Sequence, residues 1–118
     1  MDLQLLQALG LDTEEGLAFC AGDGEFYEEM LGEYVTESLS RAAELEAFFT
    51  VRDWGAYRTA VHSLKSTSRM IGAQALSQRA KELESAAADK NEAVLLAGHG
   101  GFLRELRALS GKLAEALG

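Results

Sequence analysis

Proline is absent from all 118 residues. No helix interior therefore meets the missing donor and ring clash that proline imposes, and the chain is free to run in long helices. The apolar residues use that freedom. Leu76, Ala80, Leu83 and Ala87 step by four, three and four, and Phe102, Leu106, Leu109 and Leu113 do the same, which lays each set along one side of a helix. No stretch alternates in the way a half-buried strand does, and β-branched residues are scattered, so the expectation is an all-α chain.

Turn signals divide that helical pattern. Residues 2–9 form a short leader bearing Leu3, Leu5, Leu6 and Leu9. Asp12-Thr13-Glu14-Glu15 reads as a capping sequence, with a carboxylate to accept orphan N–H groups and Glu15 to reach back. It opens a brief helix with Leu17 and Phe19. Asp23, in the turn Ala21-Gly22-Asp23-Gly24, is the expected N-cap of a long helix over 25–49, with Tyr27, Leu31, Tyr34, Leu45 and Phe48 on its buried side. Asp53 caps a helix over 54–70 that Ile71-Gly72 ends, glycine entering the left-handed conformation without a Cβ penalty. Helices over 73–88 and 91–117 follow. Gly98-His99-Gly100-Gly101 predicts a kink or break in the last one, since each glycine costs about 1 kcal/mol in a helix interior. The architecture expected is an up-and-down four-helix bundle with a short additional N-terminal helical segment. It forms one domain over 1–118 with its core at about 11–117.

Charge narrows the function. Eleven Lys and Arg stand against nineteen Asp and Glu, a net charge of -8, which argues against autonomous binding to nucleic acid or to an anionic membrane. The single cysteine, Cys20, fits a reducing compartment and is expected to pack in the core. The opening MDLQLLQALGLDTEE lacks the basic start and apolar run of a signal peptide, and no apolar run reaches about 20 residues. A cytoplasmic, free-standing and monomeric protein is the expectation. His62 and His99, the only histidines, have no metal-ligand partner at a helical step, so no metal site is expected.

The charges are also unevenly placed. Residues 1–50 hold twelve acids and one base, Arg41, whereas 52–81 hold six bases and one acid, Asp53. His62 lies in that basic stretch. On a wheel of about 100° per residue, Tyr57, Ala60, Leu64 and Ile71 fall roughly 160–220° from it, and Arg58, Lys65, Ser66 and Arg69 within about 60°. His62 is thus expected on the outer face, ringed by cations and a hydroxyl. Neutral imidazole is a nucleophile, and cations beside it would balance negative charge placed on the ring. That suggests an exposed histidine that accepts a phosphoryl group. An incidental surface histidine is the plain alternative.

The run His62-Ser63-Leu64-Lys65-Ser66-Thr67-Ser68-Arg69-Met70-Ile71-Gly72-Ala73 resembles the H-x-L-K-G-S-S-x-x-I-G-A signature of histidine-containing phosphotransfer (HPt) domains. Gly22-Asp23-Gly24-Glu25-Phe26-Tyr27, Leu76 and Leu83-Glu84 add to the likeness, which runs from about Leu11 to the last helix. The resemblance implies a phosphorelay intermediate. His62 would take a phosphoryl group from a receiver-domain aspartate, or from a hybrid sensor kinase, and pass it to a response regulator. Lys65 would lie near the phosphoryl oxygens. Ser66 stands where the family usually has glycine, small enough for a partner to approach and able to hydrogen-bond there. Some family members bond the histidine with a glutamine near position 84. Here Glu84 would orient the ring, or instead be a solvent carboxylate paired with Lys81.

Arg58, Arg69 and Met70 would complete the docking face, the cations meeting a receiver's acidic pocket and Met70 supplying apolar contact. No glycine-rich phosphate loop or kinase-like ATP motif is present. The domain is therefore expected to be a carrier, not an enzyme, binding no cofactor of its own and relying on Mg²⁺ held by the receiver. A non-catalytic helical adaptor or scaffold is the alternative, as is a bundle dimerising through Leu3, Leu6 and Leu9 of the leader. Trp54 is expected to anchor its helix start.

Overall fold

The computed structural model describes residues 1–118 as six helices without a strand. These are α1 (Leu3–Ala8), α2 (Thr13–Phe19), α3 (Gly24–Val51), α4 (Trp54–Met70), α5 (Gln74–Ala88) and α6 (Glu92–Leu117). Asp12, Asp23 and Asp53 each accept a hydrogen bond from the first turn of the following helix, as the capping pattern predicts. Asp2 and Asn91 do the same for α1 and α6.

Connections of two or three residues join α3 to α4, α4 to α5 and α5 to α6, short enough to make sequence neighbours antiparallel. Each of the four packs against two others in the cyclic order α3–α4–α5–α6–α3, and the short α1 and α2 lie across them. This is the up-and-down four-helix bundle with an N-terminal addition. One apolar cluster runs through it, from Leu6 to Leu113. Tyr27, Leu31, Tyr34 and Leu45 are buried on α3 and Tyr57, Ala60, Leu64 and Ile71 on the α4 side, with Phe48 half-buried. Cys20 is buried, with its Sγ 3.2 Å from the Met30 sulfur.

Two expectations need correction. The Gly98–Gly101 stretch does not break the helix: α6 runs through it without interruption. A Cβ on Gly98 would lie 3.3 Å from Leu83 Cδ2, so this glycine lets α5 and α6 approach closely, and packing outweighs helix propensity. The leader is not a free apolar face either. Leu6 is buried and Leu9 packs partly against the core, leaving Leu3 and Leu5 exposed.

The α4–α5 hairpin is pinned from two sides. Gly72 has φ +90, and its carbonyl accepts from Asp12 N–H at 2.9 Å. Tyr27 on α3 donates its hydroxyl to Ile71 O at 2.7 Å. At the opposite end, Glu92 joins α6 to the start of α4, accepting from Trp54 Nε1 at 3.3 Å and from Arg52 at 2.9 Å. Trp54 is buried there, edge-on to Phe49, and anchors the helix start. No helix is long and apolar enough to cross a membrane.

Candidate functional site

His62 projects from α4 on the side away from its packed stripe, and its side chain is 59% exposed. The wheel that puts Tyr57, Ala60, Leu64 and Ile71 inside leaves this ring in water. The hairpin then sets α5 alongside. Glu84, only 17% exposed, spans two partners. Its Oε2 is hydrogen-bonded to His62 Nδ1, and its Oε1 accepts from Lys65 Nζ at 2.7 Å. Glu84 therefore faces His62 and Lys65 and forms no ion pair with Lys81.

The charge state of Glu84 follows from competing effects. Partial burial pushes its carboxyl up, but hydrogen bonds from Lys65 and His62 and the charge of the Lys65 ammonium outweigh this and hold it below the ordinary carboxylate value. An ionised carboxylate can only accept, so Nδ1 carries the hydrogen and Nε2 of a neutral ring keeps the lone pair. The expected uninterrupted cationic surround is thus modified: one carboxylate, drawn from the neighbouring helix, lies on the inner nitrogen. The result is a water-exposed ring nitrogen whose neighbour in the ring is held, with cations on the same face, an arrangement chemically capable of nucleophilic attack on an electrophile that brings negative charge.

The other residues of this face are placed as follows. Arg58, Ser66 and Arg69 are exposed on α4, and neither arginine has an ion-pair partner. Lys65 is half-buried, and its backbone carbonyl accepts from Ser77 Oγ at 3.0 Å, which ties α5 to α4 one turn from His62. Met70 is 39% exposed and adjoins Phe26, 51% exposed, across a shallow cleft between α3 and α4. Glu33 and Glu37 form the acidic edge of that cleft. Thr67 and Ser68 of the motif serve the fold: Ser68 is buried against the Tyr34 hydroxyl at 2.9 Å.

Sequence reasoning missed two things. His99, left without a role, is buried: its ring stacks on Phe49 with centroids 3.9 Å apart and its Nδ1 lies 3.0 Å from the Tyr57 hydroxyl. Burial holds this imidazole below its ordinary value, and nearby Glu46 only partly opposes that. The second omission is the polar row Gln74, Ser77, Gln78 and Lys81 of α5, which faces Lys65, Ser66 and Arg69. Its spacing of three, one and three is a helical face visible in the sequence. No group of three or more His, Cys, Asp or Glu side chains is arranged to hold a metal ion.

Among protein-family models, the one described as Hpt domain matches residues 29–117. No curated protein and no solved structure matches the chain.

Proposed function

The chain belongs to the Hpt domain family, and from that membership we propose that His62 carries a phosphoryl group between receiver-domain aspartates. Domains of this family are phosphotransfer intermediates of two-component signalling. In the uptake step, His62 Nε2 attacks the phosphorus of an aspartyl phosphate. An N–P bond forms as the acyl O–P bond breaks, and the aspartate leaves as a carboxylate with the bonding pair. The proton stays on Nδ1, facing Glu84, so the ring of phosphohistidine is an imidazolium whose charge the Glu84 carboxylate offsets. Delivery to the next aspartate reverses each change.

The observation that carries this reading is the exposure of the His62 ring on the outer face of α4, where another protein's pocket can close over it. Lys65 is one turn away and would leave Glu84 to meet the phosphoryl oxygens. Arg58 and Arg69 would draw an acidic receiver pocket, while Met70 and Phe26 supply apolar contact at the rim. Ser66, small and exposed, would allow close approach. The receiver of a response regulator or of a hybrid sensor kinase would be the partner, and Mg²⁺ held in its pocket would supply charge neutralisation for the transfer. No step of this scheme uses ATP.

The test is incubation with a phosphorylated receiver, followed by assay of an acid-labile, base-stable label on the domain. The wild type takes up label and His62→Gln does not. Label persisting on His62→Gln overturns the assignment. Receiver binding without any label on the wild type would make the domain a scaffold instead.

A further inference from the structure

Beside the His62 face, α4 and α5 line a groove of about 440 Å³ without a single hydrophobic residue in its lining. Three cations converge on it: Lys65 and Arg69 from α4, Lys81 from α5. Arg69 and Lys81 have no salt-bridge partner anywhere in the chain, and Lys65 has only Glu84. Six of the eleven cations form no ion pair, Arg58, Arg69, Lys81, Lys90, Arg104 and Lys112, and two of these, Arg69 and Lys81, come from different helices to line this one concavity.

A further donor beside this groove is unused. Gln74 lines it, and its Nε2 is buried without a hydrogen-bond partner. A buried N–H left unpaired costs about 1–3 kcal/mol, which favours a rotation of the side chain that brings the amide to an acceptor in the groove. Gln74 is also the first residue of α5, and α5 alone among the six helices has a cap residue, Ala73, with no side chain to satisfy its first turn. Those free N–H groups add positive potential at the same end of the groove. One acid, Glu15, stands at the edge and forms no ion pair. The positive lining exceeds it.

From this convergence we infer that the α4–α5 groove binds a phosphate dianion, distinct from any group carried on His62. Arg69 and Lys81 would hold its oxygens from opposite helices, and the Gln74 amide, turned outward from its enclosed position, would donate to it. The volume lies within the range of small-molecule clefts, about 300–1,000 Å³, so the dianion is either free phosphate or the head of a small phosphomonoester. An occupant would compete with Glu84 for Lys65, which links the groove to the imidazole without requiring that His62 be phosphorylated.

The experiment is a titration of the ¹⁵N-labelled full chain with inorganic phosphate and, separately, with glycerol phosphate, each matched in ionic strength by sodium chloride. Saturable shifts centred on the Gln74 side-chain amide and the first turn of α5 are the expected result. The tighter of the two ligands identifies the source of the dianion. Arg69→Met and Lys81→Met should each weaken binding about fivefold, and Lys112→Met and His62→Gln should leave it unchanged. Because His62→Gln abolishes the proposed transfer but spares the groove, the two readings fail independently. Shifts that do not saturate, that chloride reproduces, or that survive in the Arg69→Met/Lys81→Met double variant overturn the inference. Both substitutions are at exposed positions, and an unchanged helical circular-dichroism signal confirms that the variants are folded.

Discussion

Glu84 on α5 accepts from His62 Nδ1 on α4, across the groove between two helices that a tight turn joins. The pairing depends on the hairpin, and the hairpin depends on Gly72. At that turn the backbone of Asp12 comes so close that a Cβ on Gly72 would lie 2.2 Å from the Asp12 carbonyl oxygen. The His62 face is therefore set by a contact at the far side of the turn, where α2 begins.

Under the proposed function Glu84 would position the imidazole it is hydrogen-bonded to, and its removal should be visible in the ring before it is visible in the fold. Glu84→Ala should slow phosphoryl uptake by about 10- to 100-fold, the penalty for a misplaced reacting group. Glu84→Gln keeps an acceptor for Nδ1–H and should retain most of the rate. The ¹⁵N chemical shifts of the His62 ring report the tautomer directly: mostly Nδ1–H in the wild type and a mixture in Glu84→Ala. Equal rates and equal tautomers in all three proteins would refute the role.

Lys65→Ala tests the charge that the phosphoryl group would meet. Transfer from a phosphorylated receiver should fall by about tenfold or more. Thermal stability should hold nearly constant, because the ion pair lost is partly solvent-exposed. A large fall in melting temperature with normal transfer by the folded fraction would mean that Lys65 serves the hairpin alone.

Stability should rise with pH through the range in which histidine titrates. Burial lowers the proton affinity of His99 in the folded chain, so on acidification the unfolded chain takes up the proton first. The stability from the neutral ring is complete above its ordinary value of 6.5 and is lost as pH falls from there through the folded-state value. Tyr57, Phe49, Glu46 and Arg107 are the groups around it. Urea midpoints measured between pH 7.5 and 5.5 should fall in the wild type and flatten in His99→Phe. Glu84 has the same sign at lower pH: its contribution is present above the ordinary carboxyl value of 4.5 and lost as pH falls below it.

Gly72→Ala should be severely destabilising, by about 3 kcal/mol or more, since it combines a left-handed φ with a collision against fixed backbone. Gly10→Ala is the matched control. Its φ is +93 but nothing lies within 4 Å of the added carbon, so about 1–2 kcal/mol is expected. Chemical denaturation of both variants measures the difference, and equal losses would show that Asp12 yields easily.

Much of this architecture is legible in the sequence because its determinants are local. Asp12, Asp23 and Asp53 announce helix starts through their own side chains, and a repeat of three and four tells which side of α4 is packed. Exposure of His62 follows from the same wheel. What local pattern hides is any relation made between helices. Glu84 has Lys81 three residues away as a plausible partner, and only the lateral placement of α5 decides for His62 and Lys65. His99 looks idle because Phe49 and Tyr57 belong to other helices. Gly98 reads as a helix breaker for the same reason: Leu83, which needs the space it leaves, is fifteen residues earlier and on α5.

The isolation of the His62 ring has a kinetic side. Its helix is fully packed behind it, so nothing in the bundle must unlatch before a visitor lands or departs. Under the proposed function, traffic through this point would be governed by how long each visitor stays, and a single projecting ring would admit visitors only one after another.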